Sequence, residues 1–162
     1  MDTSPEWRRA FRMAVFVHAT VVATVLVYAL ILELLRSRFT PMPRLAGGMS
    51  VRALRYVFYG LAVGAVLLVR LISRGPLKDR PGEPFGEFSQ RLSRAAVFTS
   101  IVTEAPAVLG LILALLTGIA SDFYYLLFVS LFLAFLYFPR SRTWAEILRQ
   151  RFPQEEASGA GR

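Results

Sequence analysis

No cysteine occurs in the 162 residues, which excludes disulfides, thiolate metal sites and cysteine nucleophiles. There is one histidine, His18, so an imidazole pair for a metal is missing too, and no metal site is expected. The chain also has no glycine-rich phosphate loop, no Ser/His/Asp set and no two carboxylates placed on one helix face. With none of these, neither an enzyme activity nor a cofactor is expected. Acidic residues are few, 11 against 19 basic ones, giving a net charge of +8 and a pI near 10.8. Such a balance often marks a nucleic-acid partner, but here the basic residues sit in short segments between apolar blocks. That is a topology pattern, and nucleic acid is not expected as a partner. Of the 19 basic residues 18 are arginine, a bias that reflects a GC-rich genome more than chemistry.

What the chain has in quantity is hydrophobic residue, 55% of the total with a mean hydropathy of +0.49, too apolar for a soluble domain of this length. It falls into four blocks, Met13–Leu35, Tyr56–Ile72, Ala95–Leu116 and Ile119–Phe138. Each approaches the roughly 17–25 residues that carry a helix across a hydrocarbon core. Arg55 and Arg70 flank the short second block closely enough to snorkel. The expected fold is therefore all-α, a polytopic membrane protein with four transmembrane helices in one domain spanning residues 1–152. Ser89 or Ser93 is the expected start of the third helix. Residues 142–152 place Trp144, Ile147, Leu148 and Phe152 at helical spacing, which predicts a short surface helix. The polar tail 153–162 is expected to be disordered.

Arg8, Arg9 and Arg12 precede the first block as in an uncleaved signal anchor. With four spans, the N-terminus, the 73–94 loop and the C-terminal segment share one side. Together with Arg70 they hold 14 of the 19 basic residues, which predicts that both termini are cytoplasmic in a bacterial inner membrane. The Thr117–Asp122 turn between the third and fourth blocks has no basic residue, so those spans should be antiparallel neighbours.

Glu104 lies near the middle of the otherwise uncharged third block. An ionised carboxylate at the bilayer centre costs about 3 kcal/mol even on a lenient scale, so it must be protonated, paired or reached by water. Around it Ser100, Thr103, Ala107, Gly110 and Ala114 follow a 3-4-3-4 spacing, a small-residue stripe that allows a second helix to approach. Pro106 removes a backbone donor and frees the Val102 carbonyl within a turn of the carboxylate. Glu104, Thr103, Ser100 and His18, which falls at a similar depth on the first helix, are the candidate ion-binding set. A packing role for Glu104 and a backbone-bonded His18 are the structural alternatives. Gly60 and Gly64 give the GxxxG spacing on the second helix, a helix-packing feature within the chain or between copies. Glu33 and Arg36 suit a local i,i+3 pair. The fourth block is rich in aromatics that face lipid or a partner, with Ser130 its main polar anchor.

The run from Glu104 to Leu115 (EAPAVLGLILAL) resembles the second helix of the proton-carrying c subunit of rotary ATP synthases. By that resemblance Glu104 matches the ion-carrying carboxylate and Gly110 a close-packing position. The chain differs in having only Gly60 and Gly64 in place of a long glycine repeat, a long Pro-rich loop before the third block, and two further spans. The expected function is a non-catalytic subunit or scaffold of a membrane complex, with lipid and other membrane subunits or itself as partners. The alternative is a proton- or cation-coupled small transporter, or ion-translocating subunit, that uses Glu104.

Overall fold

The computed structural model describes residues 5–39, 42, 44–45, 48–74, 84–140 and 146. These form four helices, α1 (Pro5–Arg38), α2 (Val51–Arg74), α3 (Phe85–Thr117) and α4 (Ala120–Leu136), with no strand among the described residues. The expected surface helix over 142–152 and the tail fall outside the described residues except for Glu146.

Three helices are long and apolar enough to cross a membrane, over Phe11–Arg38, Val51–Ser73 and Gly86–Thr117. The fourth is shorter than expected. It stops at Leu136 after 17 residues, about 25 Å at 1.5 Å per residue, because Pro139 has no N–H to continue the ladder. α3 is longer than expected: it begins at Phe85 behind an extended Pro84, ahead of both Ser89 and Ser93. Proline at that boundary costs the helix nothing, since a first-turn N–H has no partner in any case.

α3 is the central helix and packs against all three others, while α1 also touches α4. The buried residues of α1, Ala14, His18, Val21, Val25 and Leu32, repeat at three, four or seven residues, the seam of a left-handed helix crossing. The α3–α4 connection is short because Gly118 adopts φ 72° and returns its N–H to the Ala114 carbonyl at 2.8 Å. A residue with a Cβ would be strained there, and glycine ends α3 without that penalty.

The molecule is apolar outside and carries a few polar side chains within its apolar core. Phe16, Leu30, Leu67, Leu71, Phe128 and Phe135 are exposed, whereas His18, Ser100, Thr103, Asp122 and Ser130 are buried. Exposed hydroxyls on α1 are satisfied by their own helix, Thr20 donating to Phe16 and Thr24 to Thr20, as lipid contact requires.

Candidate functional site

The stripe Ser100, Thr103, Ala107, Gly110 and Ala114 is buried along its whole length against α1 and α4. At Gly110 α3 and α4 approach closely. A Cβ there would meet the Leu126 Cβ at 2.9 Å and the Phe123 backbone at 3.2 Å. Ala114 packs with Leu32 and Phe123. Gly60 and Gly64 differ: both are exposed, and a Cβ on either meets nothing within 4 Å. Among the described residues they pack against no helix, because α2 turns this face outward.

Glu104 is half-buried, and its Oε1 accepts a 2.5 Å hydrogen bond from the Tyr28 hydroxyl of α1. Pro106 lies inside α3 two residues on, and Ser130 of α4 bonds the α3 backbone on either side of it. Its Oγ accepts from the Ala107 N–H at 2.9 Å and lies 3.4 Å from the Glu104 carbonyl, to which it donates. One hydroxyl thereby ties α4 to two backbone groups of α3 that flank the proline.

One turn toward the α3 N-terminus, His18 joins three helices. Its Nε2 lies 2.8 Å from the Ala134 carbonyl and its Nδ1 2.9 Å from Ser100 Oγ. A carbonyl only accepts, so Nε2 carries a proton. The Ala134 carbonyl is available because the Phe138 N–H turns to Phe135 instead. His18 thus caps the C-terminal end of α4 from another helix, where a donor is favoured by the helix dipole. Ser100 Oγ also lies 2.9 Å from the Ala96 carbonyl. Neutral His18 draws the hydroxyl proton to Nδ1, and charged His18 donates to Oγ and releases that proton to Ala96. Phe138 closes the site with its ring edge-on to the imidazole at 5.2 Å.

His18 and Glu104 do not bond each other among the described residues, since each has its own partners. Thr103 joins neither directly; its hydroxyl bonds the Ser100 carbonyl at 2.6 Å. Among the described residues no group of three His, Asp or Glu side chains is placed to hold a metal.

A second cluster lies at the other end of the bundle. Asp122, in the first turn of α4, accepts from Arg55 Nε at 2.8 Å and from the Tyr59 hydroxyl at 3.0 Å. Arg55 therefore does not snorkel away from the protein; its guanidinium turns inward and ties α2 to α4. The Asp122 side chain is 3% exposed and that of Arg55 40%, so the carboxylate is the buried partner. Sequence reasoning missed this pairing and took Asp122 for an ordinary turn residue. The available signal was the Arg55/Tyr59 i,i+4 spacing, which puts a cation and a hydroxyl on one face. Nearby, Glu33 pairs with Arg36 at 3.5 Å and also accepts from the Tyr124 hydroxyl of α4.

These features define the class, an all-helical membrane-embedded protein whose polar side chains join helices. Compared with known proteins, the chain matches no family, no curated protein and no solved structure.

Proposed function

We propose that the protein is a non-catalytic subunit or scaffold of a membrane complex, four-spanning with both termini cytoplasmic. The observation that carries this reading is the polar bookkeeping of the interior: His18, Ser100, Thr103, Glu104, Asp122 and Ser130 are all engaged by neighbouring helices or by their own backbone. Groups satisfied in this way fix helix positions. At the same time α2 presents Gly60 and Gly64, uncovered, on an apolar surface where another helix can approach. Purification of the full chain in mild detergent, with identification of co-purifying chains, tests the proposal. Gly64→Leu is expected to release the partner, and a chain that purifies alone and functions alone would sink it. A reporter enzyme fused at Arg162 tests the orientation, with periplasmic activity as the contrary result.

One observation favours an ion-handling second reading. Glu104 is only half-buried and has Pro106 two residues on in α3, and a carboxylate within a membrane span marks an ion or proton site by default. The resemblance of residues 104–115 to the c subunit's second helix supports the same role. Glu104→Gln separates the two readings. A packing Glu104 tolerates the isosteric amide, and an ion carrier loses all proton flux in reconstituted vesicles while assembling normally.

A further inference from the structure

At the end of the bundle that holds the α1 N-terminus, a cleft of about 220 Å³ opens between α2, α3 and the end of α4. Its walls include Leu92, Ala95, Ala96, Leu136 and Phe138, with Ser73 and Arg140 also in its lining. Three features bear on what it holds. The first is depth. Roughly 20 helical residues cross a hydrocarbon core about 30 Å thick. Counted back from Thr117 along α3 they end near Phe98, while α4 leaves its helix at Leu136 after 17 residues, about 25 Å from its start. The cleft is therefore at the boundary between acyl chains and headgroups, with Leu136 at the edge of the chains, Ala95 and Ala96 just beyond that edge and Arg140 at the level of the phosphates. The second is charge. Arg140 is exposed and makes no ion pair with the described residues, and exposed Arg70 and Arg94 lie on the turns of α2 and α3 that border the cleft. The third is size. At about 30 Å³ per water in the liquid, the volume corresponds to roughly seven waters. That admits a phosphate neck and the start of one acyl chain, and leaves the second chain in the bilayer.

From this we infer that the cleft binds one anionic phospholipid, its phosphate on Arg140 and the glycerol end of one chain against Ala95, Ala96 and Leu136. A free phosphate fits the cation but leaves this apolar wall bare, and a zwitterionic lipid fits the wall but brings its own cation to Arg140. The inference needs only the membrane setting and is independent of the subunit and ion-carrier readings.

The test is native mass spectrometry of the full chain in detergent, titrated with phosphatidylglycerol or with phosphatidylcholine of the same acyl chains. One phosphatidylglycerol should be retained, at an affinity at least about fivefold above phosphatidylcholine, the worth of one charge at a membrane surface. Arg140→Gln should remove that preference, and Arg52→Gln, an exposed arginine at the opposite end, should keep it. Ala95→Leu, which fills the cleft, should lower retention of both lipids while its unfolding midpoint stays near wild type. Equal binding of the two lipids, or an unchanged preference in Arg140→Gln, would overturn the assignment. So would displacement of the lipid by millimolar inorganic phosphate, which would make the site one for a free anion.

Discussion

Replacing Gly110 with alanine tests the α3–α4 contact most directly. The new Cβ would sit 2.9 Å from the Leu126 Cβ and must retreat to at least 3.4 Å before contact is ordinary. The Leu126 Cβ cannot rotate away, and the other neighbours, the Phe123 Cα and carbonyl, are backbone atoms. The helices themselves must therefore part by about half an ångström, and overpacking of this kind costs typically about 1–3 kcal/mol. Against this, alanine gains roughly 0.5–1 kcal/mol over glycine in a helix interior. The net expectation for Gly110→Ala is a loss of about 1 kcal/mol. The same substitution at Gly60, where a Cβ meets nothing within 4 Å, has only the favourable term and should stabilise. The two variants should therefore differ by about 2 kcal/mol in opposite directions. Reversible unfolding in mixed micelles, at dilution where the chain is monomeric, measures both. If Gly110→Ala stabilises as much as Gly60→Ala, the helices do not approach as closely as described and the reasoning fails.

Tyr28→Phe removes the donor to Glu104 and should cost about 0.6–1.7 kcal/mol, the range of interhelical hydrogen bonds in membranes. A double-mutant cycle with Glu104→Ala, which removes the acceptor, checks it, since a coupling energy near zero would mean that the two side chains do not interact. His18→Leu fills nearly the same volume but strips the Ala134 carbonyl and Ser100 of their partner, for an expected loss of about 1–3 kcal/mol in the same unfolding assay. Amide exchange at the end of α4 should rise most, and an increase spread evenly over the bundle would contradict the capping role. Asp122→Leu should release α2 at the end opposite the cleft, seen as faster amide exchange around Arg55 and Tyr59 with α1 unchanged. Because the chain has no cysteine, a cysteine pair between α2 and α4 can report the same loosening by its cross-linking rate. Unaltered exchange and cross-linking would show that the clasp does not hold α2.

Much of the architecture follows from the sequence because a bilayer leaves few choices. Uncharged runs near 20 residues must satisfy their backbone internally, so the all-helical class was legible from composition and spacing alone. The 3-4 pattern from Ser100 to Ala114 identified the packed face of α3 for the same reason, since helical periodicity is a local property. Which helix covers that face is not local. Tyr28, Ser130 and Ala134 are separated from Glu104, Ala107 and His18 by tens of residues, and only the packing of α1, α3 and α4 on one another brings each pair together. Gly60 and Gly64 have the same spacing as a packing motif, yet the way α2 rests on α3 turns them outward. Asp122 and Arg55 each read as ordinary residues near the ends of apolar runs. Their pairing was decided by tertiary structure, which set the starts of α2 and α4 side by side and left a buried carboxylate with one cation in reach. The sequence by itself determined the helices and the inward face of α3, because hydrophobic length and periodicity are written along one segment. The tertiary structure decided the partners of the polar groups that bond across helices, because a hydrogen bond between helices depends on two segments and the angle at which they meet.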